Sequence, residues 1–147
     1  MKVFIDSNVP MYVAGREHPH REPASRFLRK VQRGDVEGCT STEVLQEILY
    51  RYSALGRRDL AGEVYDLFAQ ICPVVFSVTL ADTDRARDLL VATEHLSARD
   101  AVHAAVMINR EVEWIASFDA DFDQVPGLRR LELPLGDCDR HRGARFS

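Results

Sequence analysis

Short apolar runs alternate with longer stretches of helical periodicity along all of this 147-residue chain. That alternation limits the fold more than any other feature of the sequence. Val3-Phe4-Ile5, Val36–Thr40, Val74–Val78, Glu113–Phe118 and Arg130–Leu133 read as strands. Between them, Asn8–Ala14 reads as a short helix closed by Gly15, and 16–22 as a loop around Pro19. Pro23–Gln32 places Ala24, Phe27, Leu28 and Val31 at helical spacing, with Gly34 as the stop. Ser41 or Thr42 caps a helix carrying Val44, Leu45, Ile48, Leu49 and Tyr52, and Gly56 ends it. Leu60, Val64, Leu67, Phe68 and Ile71 mark the next. Thr83–Thr93 reads as a helix with Ala86, Leu89 and Leu90 inward, and Ala101–Ile108 as a buried alanine-rich helix. Strands alternating with helices predict an α/β fold, with a central parallel sheet of about four to five strands and helices on both faces. Right-handed crossovers follow. Ligands in such sheets bind beyond the carboxyl ends of the strands, where the strand order reverses.

The rest of the sequence fits one soluble domain. No apolar run approaches the roughly 20 residues a membrane span needs, and MKVFIDSNV enters a strand without a secretory leader's apolar region. The expected compartment is the cytoplasm. Cys39, Cys72 and Cys138 are far apart and have no zinc spacing. Asp137-Cys138-Asp139-Arg140-His141 likewise matches no zinc pattern. The net charge of −4 argues against a protein that coats nucleic acid, but not against a nuclease. Metal-binding acids lower the net charge, and the cations they hold attract phosphate.

The acids carry the chemical signal. Asp6 directly follows Val3-Phe4-Ile5, and Asp119 directly follows the 114–118 run. If those strands are neighbours, both carboxylates face one crevice. Asp100 opens the alanine-rich helix, where Ser97-x-x-Asp100 equally reads as a capping box. Glu43 and Glu47 share one helix face, and Glu47 lies against the buried side. Carboxylates converging without a positive partner either stay protonated or are held by cations. An all-oxygen ligand set suits Mg²⁺ or Mn²⁺. Such ions support in-line attack of water on a phosphodiester, with no covalent intermediate.

With these residues in view, the chain resembles the PIN-domain family, and in particular its VapC-type toxins. Val3-Phe4-Ile5-Asp6-Ser7-Asn8 resembles the opening motif, a strand ending in an Asp followed by a small polar residue and Asn. Ser41 six residues before Glu47 resembles the second motif and selects Glu47 over Glu43. Asp100-Ala101-Val102-His103-Ala104-Ala105 resembles the third. Ser117-Phe118-Asp119-Ala120-Asp121-Phe122, followed by the turn Val125-Pro126-Gly127, resembles the fourth, with Ser117 in place of the commoner Thr. The resemblance implies a PIN-like fold over residues 1–135, followed by a polar arginine-rich tail over 136–147. It implies Asp6, Glu47, Asp100 and Asp119 as the catalytic quartet of an endoribonuclease. Asp6, Asp100, Asp119 and Asp121 are then the candidate ligands of Mg²⁺ or Mn²⁺, Asp121 reading equally well as a turn residue. It also implies an RNA substrate, a cognate antitoxin and a homodimer.

Ser7 and Ser117 are placed to orient Asp6 and Asp119, and Asn8 to cap the first helix. His103, one turn after Asp100 among alanines, reads as a packed structural histidine, and Trp114 as core. Two alternatives stay open. One is a DxD-type phosphatase, suggested by Asp119-Ala120-Asp121, although its Thr/Ser and Lys motifs are not placed. The other is a PIN fold that binds without cutting, against which the retained acids argue.

Overall fold

The computed structural model describes residues 1–134; the tail reading over 136–147, with Cys138 and His141, lies outside the described residues. The elements are β1 (Lys2–Ile5), α1 (Asn8–Ala14), α2 (Arg21–Gln32), β2 (Glu37–Ser41), α3 (Thr42–Ala54), α4 (Arg58–Ile71), β3 (Val74–Phe76), α5 (Leu80–Ala92), α6 (Ala98–Asn109), β4 (Trp114–Ala116) and β5 (Arg129–Leu131). A 3₁₀ turn covers Ala120–Gln124. The five strands form one sheet in the order β3-β2-β1-β4-β5, with every pairing parallel. The chain runs outward from β1 to β3, then returns past it to β4. The order therefore reverses between β1 and β4, and the carboxyl ends of those two strands border the crevice.

Helices cover both faces. A Cβ on Gly38 of β2 would come within 2.6 Å of Val31 in α2 and 3.0 Å of Ile5, so glycine lets α2 lie close on the sheet. Phe4, pointing the other way in β1, has its ring 5.7 Å from that of His103 in α6. Val3, Phe4, Ile5 and Ile115 are wholly buried, as continuous apolar strands between two helical layers must be.

Several expectations need correction. β4 stops at Ala116, so Asp119 lies three residues beyond the strand, where it caps the 3₁₀ turn. Trp114 is half-buried, with the Arg129 guanidinium 5.7 Å from its ring, because β4 begins near the sheet's open end. β3 stops at Phe76 and, being an edge strand, leaves Val74 and Val75 exposed. Leu90 is 44% exposed while Ala86 is buried, and Leu49 and Leu67 also face outward. Each lies at the margin of an apolar stripe wider than the sheet and its neighbouring helices cover.

The polar anchor of α5 was not expected. Thr79 and Asp82 form a reciprocal capping box, and Asp82 also accepts from Asn109 at 2.8 Å and Arg110 at 2.9 Å in α6. Burial would raise the Asp82 carboxyl, but the Arg110 bond and the cap bonds outweigh it and hold its pKa down to about 2. Asp82 is 1% exposed. Asp82→Ala is expected to cost roughly 2–3 kcal/mol by orphaning these donors, measured by urea denaturation at neutral pH. A carboxyl with a depressed folded pKa stabilises the protein above its unfolded pKa of about 3.9. That contribution is lost as the pH falls toward 2.

Candidate active site

The crevice at the β1–β4 switch point is built from backbone first. The Asp6 N–H donates to the Ala116 carbonyl at 3.1 Å, carrying the β1–β4 ladder one residue past the strand. Asp6 and Ser117 are thereby fixed side by side. The Ser117 hydroxyl donates to Asp6 Oδ2 at 2.6 Å and accepts the Asp119 N–H at 3.0 Å and Asn8 Nδ2 at 3.2 Å. One hydroxyl thus orients Asp6 through its side chain and Asp119 through its backbone. Asn8 does not cap α1; it ties the start of that helix to the β4 loop, with Oδ1 also accepting the Phe118 N–H at 3.4 Å.

Glu47 arrives from α3. The Ser7 hydroxyl donates to its Oε2 at 2.6 Å, and its Oε1 lies 2.6 Å from His103 Nε2. That nitrogen is also 3.8 Å from Asp6 Oδ1. His103 is wholly buried, as expected, but it is a partner of the acids and not plain core. Among the described residues its Nδ1 has no partner, and the ring's polar contacts there are with the carboxylates. Burial opposes a charged imidazole, yet the Glu47 bond and the nearby Asp6, Glu47 and Asp100 carboxylates raise its pKa above the ordinary value. The same contact, with the Ser7 bond, outweighs burial at Glu47 and holds that carboxyl low. Asp6 moves the other way, burial raising its pKa against the pull of His103 and Ser117. Glu43 is raised by burial and by Glu47, and stands behind Glu47.

At Asp100, only half of the capping box forms. Its backbone N–H donates to Ser97 Oγ at 3.1 Å, and among the described residues no return bond from its carboxylate to the Ser97 N–H is present. The carboxylate turns instead toward Asp119 and Asp121, so that oxygens of all three lie within 4.8 Å of one another. Burial, with the Asp6 and Asp119 charges, pushes the Asp100 carboxyl up to about 7. The Asp121 N–H donates to Asp119 Oδ1 at 2.9 Å, fixing that carboxylate's direction.

All five predicted acids, Asp6, Glu47, Asp100, Asp119 and Asp121, therefore gather at one end of the sheet. They fall into two sets able to hold a cation: Asp6, Glu47 and His103, and Asp100, Asp119 and Asp121. In the first, the imidazole is already engaged with Glu47 and supplies a positive partner of its own. The second is all oxygen and, among the described residues, none of its three acids is ion-paired, the donor chemistry that hard divalent ions take.

The pattern that defines the PIN domain matches residues 3–128. The chain is a member of the PIN domain family. Ribonuclease VapC13 of Mycobacterium tuberculosis is 40% identical to it over 129 residues, 88% of this chain and 98% of the relative. Ribonuclease VapC23 of the same species is 36% identical over 117 residues, 80% of this chain and 92% of that one. This PIN domain is thus of the VapC type. Two solved structures share the fold at lower identity. M. tuberculosis VapC20, described as a toxin that cleaves the sarcin-ricin loop, aligns at a TM-score of 0.68 with 21% identity, over 82% of this chain and 92% of its own. VapBC2 of Rickettsia felis, solved with a promoter DNA fragment, aligns at 0.71 with 16% identity, over 89% and 98%. Family membership removes the ground for the phosphatase alternative, since Asp119-Ala120-Asp121 is absorbed by the fourth PIN motif.

Proposed function

We propose that this PIN domain is a Mg²⁺- or Mn²⁺-dependent endoribonuclease and the toxin of a toxin–antitoxin pair. The observation that carries the metal part of this reading is the gathering of Asp100, Asp119 and Asp121, none of them ion-paired among the described residues, while burial first, and then the Asp6 and Asp119 charges, push the Asp100 carboxyl up to about 7. The RNA part rests on likeness to the VapC ribonucleases, and the antitoxin part on likeness of fold to the VapC20 toxin and to VapBC2.

Asp6, Asp100 and Asp119 are the residues that would hold the ion, with Asp121 beside them. When bound, a divalent cation offsets charge on the scissile phosphate and makes water a better nucleophile. Ser117 keeps Asp6 and Asp119 in register through its 2.6 and 3.0 Å bonds. Glu47, held ionised by His103 and Ser7, is the acid that accepts a hydrogen bond from the attacking water. Water adds to phosphorus opposite the leaving oxygen and the phosphorus–oxygen bond breaks; the water's oxygen stays on the phosphate and one of its protons ends on the released oxygen, giving a phosphate monoester and a hydroxyl. The functional unit is residues 1–135, and the arginine-rich 136–147 segment is outside the catalytic set. We place the protein in the cytoplasm as a homodimer; among the described residues no helix is long and apolar enough to cross a membrane.

EDTA is expected to stop cleavage of RNA, and Mn²⁺ or Mg²⁺ to restore it; full cleavage in chelator would refute the reading. A linked expectation concerns stability. The folded Asp100 carboxyl titrates near 7, above its unfolded value, so protonation favours the folded state. That contribution is complete below about pH 4 and is lost as the pH rises through about 7. Metal-free protein is therefore expected to melt lower at pH 8 than at pH 5.5, and Mn²⁺ to raise the pH 8 melting temperature.

A further inference from the structure

Beside the acids lies a cluster of rings that the reaction does not use. Phe118, between Ser117 and Asp119, stacks on His20 with centroids 4.1 Å apart and planes 14° off parallel. Tyr12 of α1 meets Phe118 edge-on at 5.1 Å, His20 at 5.1 Å and His18 at 4.7 Å. His18 and His20 are 4.9 Å apart, and the His20 N–H donates to His18 Nδ1 at 3.0 Å, which sets the loop between α1 and α2. These rings are only partly covered: His18 is exposed, and Tyr12, His20 and Phe118 are half-buried, Tyr12 and Phe118 resting on the edge of the core. Burial and the neighbouring His18 keep the His20 imidazole below its ordinary pKa, so it stands there as a neutral ring. A surface cleft of about 580 Å³ continues from His18, lined in part by Arg21 and Arg29, which make no ion pair among the described residues. Glu17 and Glu22 also line it.

Four π-faces next to an acidic phosphate-cleaving site have a natural ligand. Single-stranded RNA is recognised by stacking its unpaired bases on aromatic side chains, and basic groups track its phosphates. We propose that Tyr12, His18, His20 and Phe118 form a stacking platform for an unpaired nucleobase adjoining the scissile phosphate. This rests on the ribonuclease reading. Phe118 is the link, because its own backbone carries the ring on one side of Asp119 and is pinned by Asn8 on the other.

The test uses short single-stranded RNAs carrying 2-aminopurine at successive positions, titrated into the full chain with Ca²⁺ in place of Mg²⁺. Cleavage of the same RNAs is followed separately with Mg²⁺. Stacking is expected to quench the probe at one position. His18→Asn, which removes the ring but keeps an acceptor for the His20 backbone N–H, and His18→Asn/His20→Ala are expected to lose the quench. They are also expected to raise KM about 10-fold or more, with kcat within about 3-fold. His20→Phe, which keeps a ring and removes the imidazole, is expected to retain both quench and KM. RNA bound and cut equally well by the double variant would overturn the platform and leave the ribonuclease reading standing. Ring-dependent quenching without cleavage would sustain the platform and sink the ribonuclease. RNA neither bound nor cut would remove both.

Discussion

Asp6→Asn and Asp119→Asn are each expected to lower RNA cleavage by roughly 10³-fold or more while leaving the fold intact. Each change is isosteric and keeps a hydrogen-bond acceptor. Asparagine at position 6 can still accept from the Ser117 hydroxyl through its amide oxygen, and the 3₁₀ turn capped by Asp119 needs only one oxygen to receive the Asp121 N–H. What each variant loses is a negative charge in a cluster of crowded carboxylates, and asparagine at position 6 also sets its NH2 in place of the Oδ1 that accepts the Ser7 N–H at 2.8 Å. The Asp119→Asn protein is therefore expected to be as stable as the parent in chelator, and the Asp6→Asn protein to stay folded with a loss of about 1 kcal/mol. Circular dichroism and a thermal melt in EDTA, run beside a cleavage assay in Mn²⁺, read both halves. Cleavage by both variants at the parent rate would remove these acids from the mechanism. Lost cleavage with lost fold would make them structural.

The second large effect falls on stability. His103→Ala is expected to cost roughly 3–5 kcal/mol, because it removes the positive partner of the buried acids Glu47 and Asp6 and opens a cavity beside Phe4. His103 has a raised pKa, so its contribution is complete below the unfolded value of about 6.5. It fades as the pH climbs through the folded one. The deficit of the variant should therefore be larger at pH 6 than at pH 9. Denaturant titrations at the two pH values measure it. Glu47→Gln, which removes one of the opposed charges, keeps its amide oxygen for His103 Nε2 and turns its NH2 to the Ser7 hydroxyl as a donor, should cost less than His103→Ala. A His103→Ala protein as stable as the parent at pH 6 would mean that the ring is only filler.

The fold was legible because its strands are too apolar to be half-exposed. Val3-Phe4-Ile5 and Ile115-Ala116 are readable as a sheet covered on both faces before any coordinates are known. Strand ends were less so. Ser117 and Phe118 continue the pattern of β4 but leave the sheet, because Ser117 is spent on Asp6 and Asp119 and Phe118 on the ring cluster. Of the acids, Asp6 was clear from its place after β1. Asp100 was ambiguous, since a capping box and a ligand need the same residue, and only the missing return bond separates them. His103 was legible as buried, but its engagement with the acids was not, for a physical reason. An imidazole among alanines on a helix looks packed, and nothing in local spacing tells that Glu47, 56 residues earlier, comes to meet it. The spacing Thr79-x-x-Asp82 carries the capping box locally, but nothing in it shows the bonds Asp82 receives from the more distant Asn109 and Arg110.

Calorimetric titration of Mn²⁺ into the metal-free parent and into Asp100→Asn tests the heart of this reading most directly. Saturable binding by the parent, weakened at least 10-fold or abolished in the variant, is the predicted result. Identical isotherms for the two proteins, or no heat of binding in either, would contradict it.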